Sequence, residues 1–565
     1  METKACQNCK QNFNIEQDDK SYYEKIKVPS PTWCPKCRAE RRLSFVNVWS
    51  IFWRNCDKCG KKTMSAYPQD QNITVYCQSC WWGDSWDGTE YAMDYDSSRP
   101  FLEQVKELAD KTPYVALETL YTSLKNSDYS NGMAWCKDAY QVFWADYCEF
   151  VYYSSLLNTV KQSSDLLRAN GSELCYGSVG LNKCYNTYFC EECDTCVDVW
   201  FLRNCYNCTN CVGCVNMRGA SHCIFNEKYS KEEYDKKIKE LALNTTSGQK
   251  AFAKQAEEFF KSKPRREYTG NSLNVKVTGE YVYESKNSKE AYMCTGVEDS
   301  KWCQFVSVAP AKDCVDYSGW GNSATLIYES ANVGENANSS KFSIYCFPDS
   351  FNVEYCMWNI AGKNNLGCVN LKRKKYCILN KEYSKEEFES LKEKIIEDMK
   401  QNPYVDKMGR KYGYGEFFPF EFSKFSYNTG NGFRFYPKTK EQALAEGYYW
   451  YDKEEQTREA TMQANALPET IKETDDSILN ETIACSSCVK AYRIVKGELD
   501  LLRKMDIPAP RECPKCRENE RFSKINPPKL YDRHCAKCKA PIVTAFSPEK
   551  PDIVYCVKCY QQELA

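Results

Sequence analysis

Histidine is almost absent from this chain: only His222 and His534 occur in 565 residues. Each precedes a cysteine, and neither lies in a nucleophile motif, so acid–base chemistry built on imidazole has little to work with. No apolar run is long enough to cross a bilayer, and no membrane segment is expected. The opening METKACQNCK runs into a cysteine pair where an export signal would have its apolar core, so a reduced, cytoplasmic setting is expected. A GxxxxGK[ST] phosphate loop, a strand-linked GxGxxG and an HExxH helix are all missing. These absences weigh against an enzyme using nucleotides, dinucleotide cofactors or a His-bound catalytic metal.

What is present is cysteine, 35 residues of it. Eight pairs have C-x2-C spacing: Cys6/Cys9, Cys34/Cys37, Cys56/Cys59 and Cys77/Cys80 near the start, and Cys485/Cys488, Cys513/Cys516, Cys535/Cys538 and Cys556/Cys559 near the end. Every late cysteine follows its early partner by 479 residues, which marks an internal duplication. A C-x2-C turn puts two sulfurs on one side of a bend, and two turns make a closed tetrahedral set of four sulfurs, the set zinc favours. Four structural zinc ions are therefore expected. Sequential pairing of the turns is the simplest arrangement, with an interleaved cross-brace as the alternative. Structural or redox disulfides are the competing reading of the same cysteines.

The two modules, residues 1–80 and 481–565, have the composition of treble-clef or zinc-ribbon units. Within the first, Tyr22–Val28 and Ile73–Tyr76 read as strands, and a helix is expected after Cys37. Arg38 and Arg42, with their counterparts Arg517 and Arg521, sit at i and i+4 on those helices and so share a face. They are candidate phosphate contacts, with Trp49, Phe52 and Trp53 able to stack on bases; the bland alternative is a solvated face over a small core. The net charge of −1 is uneven: residues 1–80 hold 13 Lys+Arg against 8 Asp+Glu, and residues 481–565 hold 16 against 11. Each end is thus +5 and the middle −11, so an anionic partner would meet the ends, and two modules brought together would pool their charge.

Between the modules the chain divides further. Residues 81–125 read as a tryptophan-rich turn and a docking helix that starts at Pro100. Residues 126–263 form a Cys-rich repeat: Cys175, Cys184, Cys190 and Cys193 recur 21 residues later as Cys196, Cys205, Cys211 and Cys214. A parallel β-solenoid with a coil of about that length, of the right-handed kind, is the expected form. Residues 264–400 repeat its ending, with Gly367-Cys368-Val369-Asn370 lying 154 residues after Gly213-Cys214-Val215-Asn216. Capping boxes at Ser230/Glu233, Ser384/Glu387 and Thr439/Gln442 predict helix starts, the first helix breaking near 244–248 and reaching Lys261. Residues 401–480 read as an aromatic segment, a short helix and a mobile charged linker from 452. The expected fold is mainly β with short helices: duplicated zinc modules flanking a tandem solenoid.

Two further features are ambiguous. The run Cys190–Cys214 has iron–sulfur-like triplet spacing but lacks the ferredoxin pattern's last interval and proline. Extra zinc and simple packing of reduced thiols compete with a cluster. The carboxylate pairs Asp84/Asp87 and Glu191/Glu192 read as solvated loops, although an aromatic solenoid groove acting on polysaccharide is conceivable on fold analogy alone.

Taken together, Tyr76-Cys77-x2-Cys80-Trp81-Trp82, Asp84-Ser85-Trp86-Asp87, Arg99-Pro100-Phe101, Cys211-x2-Cys214-Val215-Asn216, Tyr229-Ser230-Lys231-Glu232-Glu233-Tyr234 and Lys440-Glu441-Gln442-Ala443 resemble an uncharacterised family of large cysteine-rich bacterial zinc-ribbon proteins. The resemblance implies zinc and a cytoplasmic bacterial setting, and transfers no catalytic residue. Three functions follow as expectations: a non-enzymatic zinc protein whose basic modules bind RNA, DNA or a ribonucleoprotein; a scaffold for a protein partner, using the aromatic, acidic solenoid; and an enzyme working in the solenoid groove.

Overall fold

The computed structural model describes residues 1–271, 273–452, 458–488 and 490–564. Its centre is a chain of four-residue strands from Asn131–Ala134 to Ser221–Ile224. Alternate strands fall into two parallel walls. Within a wall each residue pairs with the one twelve positions on, as Glu149 with Lys161 and Ser155 with Leu167. The coil is therefore twelve residues, not the 21 expected from the cysteine offset.

The local rule explains the discrepancy. Every third residue from Trp135 to Arg168 has φ near +50°, and the next residue faces inward: Cys136, Ala139, Val142, Ala145, Cys148. Four such left-handed corners close one coil. Because 21 is a multiple of three, an offset of 21 carries inward cysteines onto inward cysteines without being a coil. Left-handed backbone costs an L-residue about 1–2 kcal/mol, so the corners persist only because ladder hydrogen bonds and the packed interior hold them. Side-chain amides stacked next to the corners add to the ladder, as where Asn170 donates to Asn182 at 3.0 Å and Asn182 to Asp194 at 3.1 Å.

A second solenoid runs from Val275–Tyr283 to Cys377–Ile378 with looser coils. Its register steps are 12 (Lys286 to Glu298), 14 (Val297 to Ala311) and 13 residues (Val315 to Tyr328). That variation is why no single period is visible there. The two solenoids lie side by side with their coils in opposite order. The first coil region of one meets late coils of the other through Asn332 Nδ2, which donates to Glu118 Oε1 at 2.6 Å. Trp144 lies 5.7 Å from Phe305, and Arg168 donates to the Tyr283 hydroxyl at 2.9 Å.

Helices close the far end of each solenoid. Thr246–Lys261 packs Phe252 onto Gly213, whereas Phe101–Lys111 packs Phe101 and Val105 onto Gly367. Both glycines have φ near +65°, and a Cβ on either would lie within 3 Å of an aromatic carbon. The helix from the N-terminal part of the chain thus caps the second solenoid, not the first.

All three capping boxes form, opening Lys231–Leu241, Lys385–Gln401 and Lys440–Ala445. The first helix breaks at Ala242, and the next runs Thr246–Lys261. Pro100 is the N-cap of its helix. Two expectations need correction. Tyr22–Val28 is not a strand: Gln17–Lys25 is helical, opened by a capping box between Glu16 and Asp19, with Tyr23 buried. Of the expected linker, residues 453–457 lie outside the described residues, and 462–480 is built rather than loose. It forms three short 3-10 turns whose Leu467, Ile471 and Ile478 are buried against Leu499 and Leu502.

Glu118 lies in the seam between the solenoids with no cation beside it among the described residues. Glu118 Oε2 is sealed from solvent without a hydrogen-bond partner, and burial pushes the carboxyl up to about 8. A carboxyl whose folded pKa exceeds its unfolded value of about 4.3 makes folding take up a proton. Stability therefore falls as pH rises from about 4.5 to 8 and is level above that, the slope approaching ~1.4 kcal/mol per pH unit from this group. Glu118→Gln should remove that part of the slope and leave the chain more stable than wild type at about pH 8.5. Thermal melts across roughly pH 5–9 test this, and an unchanged profile in the variant would show the carboxyl to be hydrated.

Candidate metal centres

The sixteen terminal cysteines converge in four groups, and the turns pair sequentially: Cys6/Cys9/Cys34/Cys37, Cys56/Cys59/Cys77/Cys80, Cys485/Cys488/Cys513/Cys516 and Cys535/Cys538/Cys556/Cys559. In each group the sulfurs all lie within 4.8 Å of one another. One sulfur–sulfur edge recurs in all four: Cys9–Cys34 3.8 Å, Cys59–Cys77 3.8 Å, Cys488–Cys513 3.7 Å and Cys538–Cys556 3.8 Å. A regular tetrahedron with a centre-to-vertex distance of about 2.3 Å, the Zn–S distance, has an edge of about 3.8 Å. A disulfide needs about 2.05 Å, and all these cysteines are free. The residues present fit a zinc ion in each group.

The backbone prepares the sulfurs for charge in the same way four times. The third cysteine's N–H donates to the first cysteine's sulfur: Cys34 to Cys6 at 3.3 Å, Cys77 to Cys56 at 3.2 Å, Cys513 to Cys485 at 3.2 Å and Cys556 to Cys535 at 3.3 Å. Burial works against the thiolate of Cys535, but N–H groups of Cys538, Cys556 and Lys537 outweigh it and lower its pKa to about 6. Cys485 is lowered to about 7 by the same balance. Each group brings four sulfurs together and, among the described residues, no fifth His, Cys, Asp or Glu donor joins them, which is the closed arrangement that suits a structural ion.

The helices that leave the second turns carry the arginines. Pro35–Leu43 has Cys34 at its N-cap, and Pro514–Ser523 has Cys513 there. These helices face inward, contrary to the expectation of a phosphate-gripping face. Arg38 donates from Nε to Asp316 Oδ2 at 2.8 Å. Arg41 reaches Glu329 at 2.5 Å and Glu416 at 3.4 Å. Arg42 pairs with Glu329 and, at 3.4 Å, with Asp316. All three guanidinium groups are fully buried, as are Asp316 and Glu329. In the other module Arg517 and Arg521 share Asp165 at 2.8 and 2.6 Å, and Arg517 also binds Glu498 at 2.9 Å. Three cations thus meet three acids in one cluster, and two meet two in the other. Among these acids Glu329 is held below the usual carboxylate range by its three arginines despite burial, whereas burial pushes Asp316 up.

The pairing is crossed. Arg38, Arg41 and Arg42 belong to the first module and clamp the second solenoid; Arg517 and Arg521 belong to the last module and clamp the first. Two contacts of the outer groups are crossed in the same way, alongside uncrossed bonds from Trp49 to Ser155 and between Asn526 and Tyr281. Lys372 of the second solenoid donates to Trp81 O at 2.8 Å, and Asn216 of the first accepts from the Tyr560 hydroxyl at 2.8 Å. The modules meet near the middle, where Trp49 lies 5.9 Å from Phe522, and Arg434 of the segment between them binds Glu518 at 2.6 Å. Nothing in the local sequence announced Asp165, Asp316, Glu329 or Glu416; what sets them apart is their burial beneath the arginine-bearing helices.

The central cysteines do something else. Among the described residues they form no further group with mutually adjacent sulfurs. Their thiols lie against main-chain carbonyls two residues back and nine ahead, as Cys196 does with Asp194 O and Cys205 O, both 3.5 Å. Ser288 makes the same pair of contacts at 2.9 and 3.2 Å. Cysteine is here a small inward residue with a weak donor, interchangeable in role with serine. The carboxylate pairs are also engaged: Glu192 with Arg168 at 2.7 Å, and Asp87 as the cap of Gly88–Tyr91. His222 rests edge-on against Tyr234, and His534 ends the strand Tyr531–His534.

Among the described residues, no helix is long and apolar enough to cross a membrane. Comparison with known proteins found no matching family model, no matching curated protein and no matching solved structure.

Proposed function

We propose that this chain is a non-catalytic zinc protein, in which four structural ions assemble a pair of right-handed β-solenoids into a rigid scaffold for a protein partner. One observation carries the reading. The arginines next to the ligands are spent on carboxylates of the chain's own solenoids, so the treble-clef/zinc-ribbon modules serve internal assembly. The outer wall remains for recognition. Trp135 and Tyr147 stack there at 4.8 Å and 4°, each half exposed, with Phe150 exposed beside them. Aromatic residues of this kind anchor protein interfaces. The reduced thiols of the interior suit a cytoplasmic setting, in keeping with the cysteine-rich bacterial proteins that the motifs resemble.

A nucleic-acid role survives in a different place from Arg38, Arg42, Arg517 and Arg521. Trp53 stands half exposed on the hairpin Phe52–Asn55/Lys62–Ser65, with Lys62 over its ring at 4.8 Å and Tyr129 edge-on at 5.7 Å. A lysine-flanked aromatic platform suits single-stranded RNA or DNA. One pair of experiments separates the readings. Capture of a protein from a native lysate, lost in the Trp135→Ser/Tyr147→Ser variant, supports the scaffold. Low-salt quenching of tryptophan fluorescence by single-stranded RNA, lost in Trp53→Ala, supports the second reading and counts against the first if no protein is captured.

A further inference from the structure

The helix bearing each arginine cluster is nine or ten residues long and begins on two metal ligands. Helices this short are marginal alone. In Pro35–Leu43 the ligands Cys34 and Cys37 occupy the N-cap and first turn, and Arg38, Arg41 and Arg42 follow at once, on one face. A metal ion holding those two sulfurs therefore fixes where the guanidinium groups stand. Among the described residues, no other cation pairs with Asp316, Glu329 or Asp165. Asp316 lies in the strand Val315–Gly321 and Glu329 in Tyr328–Gly334, both fully buried under the helix. Asp165 sits at a corner of the first solenoid with φ +57° and is equally buried. Acids in such places must be paired, protonated or exposed by opening the wall.

We infer that the two inner four-cysteine groups act as crossed, metal-dependent latches: an ion at Cys6/Cys9/Cys34/Cys37 keeps the second solenoid closed, and an ion at Cys485/Cys488/Cys513/Cys516 keeps the first closed. This rests on the reading that these groups hold zinc. The two halves of the chain thereby depend on each other. The second solenoid is latched by the module made first, and the first solenoid stays open at Asp165 until the last module is complete and loaded. Glu416 and Glu498 lie outside the solenoids but complete the charge balance, so each latch closes as a neutral cluster.

The test is hydrogen exchange read by mass spectrometry on the full chain, with zinc counted in the same samples. In Cys37→Ser, amides of Val315–Gly321 and Tyr328–Gly334 should exchange about tenfold faster or more, while Lys161–Ser164 and Glu173–Tyr176 keep their protection. In Cys516→Ser the pattern should reverse. Loosening confined to the altered module, or equal in both solenoids, overturns the inference. If a variant does not fold, brief chelation of the wild-type protein replaces it: exchange in the latched strands must rise in step with zinc release. Zinc leaving while those strands stay protected refutes the latch alone. A wild-type protein with no zinc and protected strands refutes the metal reading with it.

Discussion

Glu329→Ala lowers the stability of the folded chain by about 3–5 kcal/mol, the cost of leaving a buried charge without its partner. The reason lies in the arithmetic of the cluster. Among the described residues, Glu329 is the one acid that touches both Arg41 and Arg42, and neither arginine reaches water. Removing it leaves three cations facing Asp316 and Glu416. Glu329→Gln keeps shape and one acceptor but loses the charge, so it should fall between alanine and wild type. Asp165→Ala is the matching experiment in the other half, because Asp165 alone joins Arg517 to Arg521. Surface pairs provide the control. Arg99→Ala removes contacts to Glu103 and Glu107 that are exposed to solvent, and its effect should be far smaller than that of either buried variant. Thermal or denaturant unfolding of the four variants decides the matter; equal, small shifts in all of them would mean that water reaches the buried acids.

The same comparison bears on what the clusters are for. Replacing a whole buried ion pair by apolar residues is often neutral or stabilising, so burial alone does not make Arg517–Asp165 an asset. A double variant such as Asp165→Leu/Arg521→Leu still strands Arg517 against Glu498, and should recover only part of the loss seen in Asp165→Ala. The charge count differs between the two module–solenoid contacts. The modules share their knuckles and the sequence around them, and three cations matched to three acids in one cluster, against two matched to two in the other, tell them apart.

How much of this was legible beforehand follows from the range of the interactions. The four-cysteine groups were readable because each turn is a four-residue unit and its copy repeats at a constant offset. Helix starts at Ser230, Ser384 and Thr439 were readable for the same reason: a capping box is closed within four residues. The coil was misread because left-handed corners accept almost any side chain, Trp135 as well as Asn186, leaving inward cysteine as the visible signal, with a spacing of three that hides a period of twelve. The crossing was invisible. Arg38 and Asp316 are 278 residues apart, and an aspartate at a solenoid corner looks like any solvated acid until its cover is known. Tyr22–Val28 reads as a strand on its aromatic and β-branched content, where a capping box and the burial of Tyr23 select a helix.

Protein purified without chelator should carry close to four zinc ions per chain, and stripping them should abolish cooperative unfolding altogether. Each structural site adds on the order of 10–16 kcal/mol in zinc-finger peptides, more than the usual net stability of a domain. The two inner sites matter most because their helices carry the latches. The outer two hold hairpins that join the body through short parallel pairings, Val75–Tyr76 with Tyr114–Val115 and Val554–Tyr555 with Arg265–Arg266. Cys535→Ser should therefore cost one zinc and some local order, whereas Cys34→Ser should cost one zinc and loosen the latched strands of the second solenoid. Acid should release metal as the thiolates are protonated, because zinc binds only the deprotonated sulfurs. Cys208→Ser is the discriminating control. Its sulfur lies inside the coil against Tyr206 O at 3.5 Å, a place a serine hydroxyl can take, so all four zinc ions should remain and stability should change little. Loss of metal in that variant, or iron with visible absorbance in the wild type, would move the metal chemistry from the modules to the solenoid interior.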